Sequence, residues 1–211
     1  MRIFMRPAAA GILTLALFAA CKKDQDRYAS GSLDTLKASP KADTVRPADT
    51  VTTTTPAPTN DKWSSPNVLG FAIVANTGEV ELGKLAQKKA THADVKTFAK
   101  MMVTDHSAML ADTKKLGAKL SVTADTAADD ARDLMNHGRD AMKELTEKAA
   151  GADWDKNYMD KMVDGHKDVL SKLQDAAKNT PDAQLKTALE SAVGKVQTHL
   201  TKAEDIRAKL K

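Results

Sequence analysis

The chain has 211 residues, of which 42% are hydrophobic, 4% are aromatic and one is a cysteine. This composition excludes a disulfide-stabilised small protein and a cysteine-ligated metal centre, and the few aromatic residues disfavour a β-sandwich. Of the net charge of +4, residues 1–66 carry +3, so the rest of the chain lacks the basic block that nucleic-acid recognition requires. We therefore expect no nucleic-acid partner.

The N-terminus has the pattern of an export signal. Arg2 and Arg6 precede an apolar run over 8–20, which is shorter than the ~20 residues that a membrane-spanning helix needs. The run ends in Leu-Phe-Ala-Ala-Cys, which resembles a bacterial lipobox with Phe18 in place of the usual leucine. Residues 1–20 therefore predict a signal peptide, and Cys21 is the predicted lipid-modified first residue of the mature chain. The alternative is an ordinary secretory signal followed by an incidental cysteine.

Residues 21–66 predict a tether. Threonine and proline dominate 40–58, and the near absence of large apolar residues predicts disorder. Acyl chains on Cys21 would anchor the protein to a lipid bilayer. Lys22 occupies the position where an aspartate usually retains such lipoproteins at the inner membrane, which favours the outer membrane. The expected location is the periplasm, on a membrane anchor.

Residues 67–211 predict a helical bundle domain. Apolar residues recur every three or four positions, with breaks that indicate five helices. Their predicted bounds are 67–90, 93–120, 124–150, 153–179 and 182–209. A shift of 60 residues aligns the first two helices with the next two without a gap, although helical sequence can also align with itself by chance. The expected fold is all-α: an up-down, ferritin-like four-helix bundle formed by a duplicated helical hairpin, plus a fifth C-terminal helix.

Several segments resemble one bacterial family. They are the Phe-Ala and Gly-Glu-Val segments within 71–86, the run Phe-Ala-Lys-Met-Met-Val-Thr-Asp-His over 98–106, the 158–166 segment and the His-Leu pair at 199–200. Together they resemble the family described as domain of unknown function 4142, over about 67–207. The resemblance implies a ferritin-like helical bundle in an exported protein, often described as a predicted outer-membrane protein. It implies no known reaction.

Three histidines are the main candidates for chemistry. His106, His166 and His199 each lie in the middle of an apolar stripe on a different predicted helix. Gly78 and Gly138 are predicted at the levels of His106 and His166, where a missing side chain would make room for an imidazole.

Carboxylates and thioethers border the same level. Glu79 and Asp105 are the neighbouring acids, and Met102 and Met162 lie one turn before two of the histidines. Two or three histidines with one carboxylate suit Zn, Fe, Mn or Cu, and methionine sulfur suits Cu(I). A ferritin-type di-iron site is disfavoured, because Val103 stands where the motif needs glutamate.

The sequence leaves three functional classes open. It first favours a structural or interaction role in the envelope, related to envelope stress or to a protein or cell-wall partner. In that role the core imidazoles would bond Asn76, Thr77, Asn136 or backbone and fix helix register. The second class is a periplasmic binder of a divalent or copper ion. A metal-dependent enzyme ranks last, since no catalytic residue is indicated. The oligomeric state is not predicted.

Overall fold

The computed structural model describes residues 62–210, which form five α-helices and no strand. Their bounds are α1 Ser65–Lys89, α2 Ala93–Leu120, α3 Asp129–Glu147, α4 Ala152–Asn179 and α5 Ala183–Lys209. The all-α prediction is confirmed. None of the helices in this range is long and apolar enough to cross a bilayer. The predicted signal peptide, Cys21 and most of the tether lie outside the described residues.

Two long hairpins make the core. The most extensive helix contacts are α1 with α2 and α4 with α5, whereas α3 lies mainly against α1 and only lightly against α4. The sequence paired α3 with α4 and added α5 at the end, and the structure corrects this pairing. The physical reason is burial: α3 buries only Ala131 and Leu145. By contrast, α5 buries seven side chains, namely Leu185, Leu189, Val196, His199, Leu200, Ala203 and Ile206.

The third helix begins later than predicted. The backbone N–H of Asp125 donates to the carbonyl of Pro66 at 2.9 Å, and its side chain accepts from the N–H of Ala127 at 2.9 Å. Because these bonds hold 121–128 in a loop against the start of α1, α3 starts at Asp129 rather than at 124.

The folded region begins before residue 67. Trp63 is 2% exposed, and its indole N–H donates to the carboxylate of Asp175 at 2.7 Å. Its ring packs edge-on against Phe71, with centroids 5.9 Å apart. The predicted boundary between tether and domain at residue 66 is therefore too late in the chain, because Trp63 belongs to the core.

The glycines predicted to face imidazoles do not do so. A Cβ added at Gly78 or Gly138 would meet no atom within 4 Å, so neither residue makes room for a neighbour. Two other glycines of α1 are needed: a Cβ at Gly83 would lie 2.8 Å from Val103 Cγ2, and a Cβ at Gly70 would overlap the carbonyl oxygen of Asp125. Gly83 therefore permits the close approach of α1 and α2, and Met102 packs beside it in the core.

A buried carboxylate fixes α4 against the turn between α1 and α2. Asp155 is 1% exposed and accepts hydrogen bonds from the backbone N–H groups of Thr91 and His92 and from the Thr91 hydroxyl. The first turns of α2 and α4 consequently lie at the same end of the bundle.

Candidate metal centre

Helix geometry brings the candidate histidines to one level. His106 is 13 residues into α2 and His166 is 14 residues into α4. Both rings therefore lie about 20 Å along helices that start at the same end, given a rise of ~1.5 Å per residue. His199 reaches this level from α5, which packs against α4.

The three imidazoles form a buried cluster. Ring centroids are 5.0 Å apart for His106 and His199, 5.8 Å for His166 and His199, and 6.0 Å for His106 and His166. The residues are 4%, 2% and 0% exposed in chain order. One ring nitrogen of each lies within 4.8 Å of the others. Three imidazole nitrogens at this spacing form a set of metal-ligand type.

Each ring has one nitrogen held by the protein. His106 Nδ1 lies 2.9 Å from the amide oxygen of Asn76, and His166 Nδ1 lies 2.8 Å from the backbone oxygen of Met162. His199 Nε2 lies 2.9 Å from a carboxylate oxygen of Asp105. The backbone carbonyl and the carboxylate accept only, so these nitrogens carry the proton. The Asn76 amide N–H₂ donates to the Ala72 carbonyl, which turns its oxygen towards His106 in the same way.

The second nitrogen of each ring has no hydrogen-bond partner. His106 Nε2, His166 Nε2 and His199 Nδ1 are all buried and unbonded within residues 62–210. Since the partner nitrogen of each ring is the donor, these three present lone pairs. An imidazole that donates its outer N–H to a carbonyl or carboxylate and points its other nitrogen inward is the usual arrangement of a histidine metal ligand.

Glu79 lies beside the cluster and not within it. Its Oε1 lies 3.7 Å from His166 Nδ1, which is the nitrogen already bonded to the Met162 carbonyl. The group of mutually close ligand atoms in the described residues contains only the three histidines. The structure therefore places Glu79, which the sequence offered as a fourth ligand, beside the outer edge of His166.

Burial disfavours the charged form of two of the three imidazoles. Desolvation lowers the pKa of His106 to about 3, with repulsion from His166 and His199 adding to the effect. Burial also lowers the pKa of His199, although its bond to Asp105 opposes this. The same bond holds the pKa of Asp105 below its ordinary value. Neutral imidazoles beside an ionised carboxylate are the protonation states that a metal site requires.

Sequence reasoning assigned no role to Tyr158. It is fully buried, its hydroxyl has no partner within residues 62–210, and burial raises its pKa well above the ordinary value, with Glu79 adding to the rise. Its ring stacks on Trp154, with centroids 5.4 Å apart. The available signal was the four-residue spacing on α4 that repeats from Trp154 through Tyr158 and Met162 to His166.

The remaining histidines lie elsewhere. His92 and His137 are exposed, and His92 accepts from the N–H of Asp94 as the N-cap of α2. Met102 and Met162 are buried core residues of α2 and α4.

A family model described as "Domain of unknown function (DUF4142)" matches residues 50–206. The chain belongs to this family. All three histidines and Glu79 of the DUF4142 domain fall inside the matched range. Comparisons with curated proteins and with solved structures found no match.

In the DUF4142 domain, the ring-nitrogen separations of the three histidines can be compared with those of a metal site. Zn–N bonds of ~2.0–2.1 Å with tetrahedral angles need nitrogens about 3.3 Å apart. One nitrogen of each ring lies within 4.8 Å of the others, so an ion would need these separations to contract by up to about 1.5 Å, a movement on the scale of small ring rotations. Three protein ligands leave one position free for water or another small ligand.

Proposed function

We propose that this protein binds a divalent first-row transition-metal ion through His106, His166 and His199. Two observations carry the proposal: one ring nitrogen of each histidine lies within 4.8 Å of the others, and each ring, on its own helix, buries a nitrogen that has no partner in the described residues.

A purely structural role accounts for only one of the two nitrogens of each ring. The bonds to Asn76, Met162 and Asp105 would fix helix register, but each ring also buries an unpaired nitrogen. A buried polar group without a partner costs about 1–3 kcal/mol. Hydrophobic side chains at the three positions would avoid this cost, whereas a bound ion would use all three lone pairs.

The donor set favours particular ions. Three neutral imidazoles suit Zn²⁺, Cu²⁺ and Ni²⁺ better than hard, oxygen-preferring ions such as Mg²⁺ or Ca²⁺. Affinity should rise from Mn²⁺ towards Cu²⁺ and fall slightly at Zn²⁺, following the usual order for divalent ions.

We also propose that the domain is presented at the cell envelope. The support is the sequence of the N-terminus: a basic start, an apolar run and a lipobox-like ending at Cys21, followed by Lys22 and a Thr/Pro-rich tether. A ferritin-like bundle moored to the outer membrane on its periplasmic side would hold the metal within reach of that surface. Mass spectrometry of protein from intact cells should find acyl groups on Cys21, and an unmodified Cys21 would refute the anchoring.

Calorimetric titration of the metal-stripped protein with Cu²⁺, Zn²⁺ and Mn²⁺ tests the metal site. We expect one ion per chain with a dissociation constant below 1 µM for the preferred ion. His106→Ala, His166→Ala and His199→Ala should each weaken binding at least about tenfold, since each loses one ligand.

The matched control is His137→Ala, which removes an exposed histidine from α3. It should bind metal as the wild type does. Absence of sub-micromolar binding to the folded protein, or equal losses in the control and the three cluster variants, would refute the metal site and leave the histidines as register-fixing core residues.

A further inference from the structure

A cavity of about 360 Å³ opens between α2 and α5 beside the histidine cluster. Its walls come from α1, α2, α4 and α5, and α2 and α5 touch each other far less than either touches its hairpin partner. The volume falls in the range of ~300–1,000 Å³ that is usual for small-molecule sites. The separation of these two helices therefore leaves enough space for a small molecule.

The cavity is polarised along the bundle. One end is lined by Leu69, Leu116 and Leu185, and the other by Asn76, His106 and Lys195. Leu69 and Asn76 are seven residues apart on α1, and Leu185 and Lys195 are ten apart on α5. The two ends therefore lie about 10–15 Å apart. A molecule that fits both ends must be elongated, with an apolar body and one polar head.

The charges at the polar end balance. Asp105 and Lys195, both of which line the cavity, lie 3.6 Å apart, and Asp105 also accepts from His199. Asp112, further along the rim, pairs with Lys115 at 3.3 Å. A cationic head would meet Lys195 and an anionic head would meet Asp105, and neither would find a free counter-charge, so a charged head would lose hydration without compensation.

We propose that this cavity binds an uncharged, elongated amphiphile, with an apolar body against the leucine end and one hydrogen-bonding head group beside His106. The Lys195 ammonium is half-exposed and can donate to a hydroxyl or carbonyl head, and the Asp105 carboxylate can accept from a hydroxyl. This site is separate from the free nitrogens of the cluster, and its occupancy needs no metal.

The experiment uses N-phenyl-1-naphthylamine, an uncharged probe that becomes fluorescent in apolar sites. We expect saturable binding to the metal-stripped protein, one probe per chain, with micromolar affinity. Decan-1-ol should displace the probe, whereas decanoate and decyltrimethylammonium, which have the same chain length, should need at least tenfold higher concentrations.

Two variants narrow the cavity and one matched variant does not. Ala192→Phe adds a ring to the wall, and Ala188→Phe adds one at the exposed rim, where folding is not at risk. Both should weaken probe binding at least tenfold. Ala208→Phe lies on an exposed part of the same helix, outside the cavity, and should bind the probe as the wild type does.

Three results would overturn the proposal: no saturable binding, equal affinity in Ala188→Phe and Ala208→Phe, or preferential displacement by either charged decyl compound. Failure of the metal site would not produce any of them, because the probe is titrated without metal. Conversely, metal binding without probe binding would refute only the amphiphile site.

Discussion

The buried state of His106 should make the metal-free protein lose stability in mild acid. Its pKa is about 3 in the folded chain, against an ordinary value of 6.5, mainly because burial disfavours the charged ring. Above pH 6.5 the ring is neutral in both states and contributes nothing to the pH dependence. Below pH 6.5 the unfolded chain binds a proton that the folded chain does not, so the free energy of unfolding decreases as the pH falls towards 3.

The magnitude follows from the two pKa values. Each pH unit between 6.5 and 3 removes about 1.4 kcal/mol through this one residue, so lowering the pH from 6.5 to 4.5 should remove about 2–3 kcal/mol. The lowered pKa of His199 adds a loss in the same direction. Paired carboxylates such as Asp105, whose pKa is lowered, contribute only below about pH 4–5, when the unfolded carboxyl begins to take up protons.

Urea unfolding in the presence of a chelator, at pH 7.5, 6.5, 5.5 and 4.5, measures this effect. His106→Gln removes the titrating ring and should flatten the pH dependence by about 1.4 kcal/mol per unit below pH 6. The exposed His137→Gln should keep the wild-type slope. Parallel stability curves for the wild type and His106→Gln would refute the reasoning, because they would mean that the folded protein accepts a proton at His106 as easily as the unfolded chain.

Three further predictions concern the helices, the metal and the cavity. In urea unfolding, Gly78→Ala should stabilise the protein by up to about 1 kcal/mol, because its Cβ meets nothing within 4 Å. Gly70→Ala should destabilise it by more than about 2 kcal/mol, because its Cβ meets the carbonyl of Asp125. Effects of the same sign would contradict the packing. Asp105→Ala should weaken metal binding about 10–100-fold in calorimetry, because it removes the acceptor that orients His199. The exposed Asp112→Ala should bind metal as the wild type does, and equal metal affinities in the two variants would refute the orienting role. Because Asn76 and Asp105 both line the cavity and hold histidines, saturating Zn²⁺ should change the affinity for the naphthylamine probe, and the probe should change the Zn²⁺ affinity by the same factor. Identical probe affinities with and without Zn²⁺ would refute the coupling.

Periodicity predicted most of the helices, because it reads which face of a segment is apolar. The bounds of α2 match the expected 93–120, and those of α4 and α5 lie within a residue. The start of α3 was wrong, since the loop that precedes it is held by a bond from Asp125 to the Pro66 carbonyl, about 60 residues earlier. Periodicity carries no information on such a long-range contact.

The predicted pairing of α3 with α4 was wrong for a related reason. The 60-residue repeat equates α3 with α1, but the matching positions have different surroundings: Asn76 is buried against His106, whereas Asn136 is exposed. Identity at aligned positions did not reveal which helix supplies the larger buried face. The level of the histidines was easier to anticipate, because the number of residues from each helix start fixes axial height. The direction of the Glu79 side chain and the empty space around Gly78 depend on how α1 is rotated about its axis. The number of residues from the helix start does not give that rotation.

The histidine cluster buries polar atoms that have no hydrogen-bond partner in the described residues, which is unfavourable for folding. Three unpaired buried nitrogens, at about 1–3 kcal/mol each, cost about 3–9 kcal/mol, which is comparable with the whole stability of ~5–15 kcal/mol typical of a domain. The surrounding core of Leu, Val, Phe and Trp side chains offsets such a cost but gives no reason for it. The proposed ion would give one, because it would occupy all three lone pairs, and at a concentration 100-fold above its dissociation constant it would add about 2.7 kcal/mol to the stability of the folded state. The three rings already lie together in the folded bundle and would need only small movements to ligate the proposed ion, so binding should raise the melting temperature without adding helix to the circular dichroism spectrum.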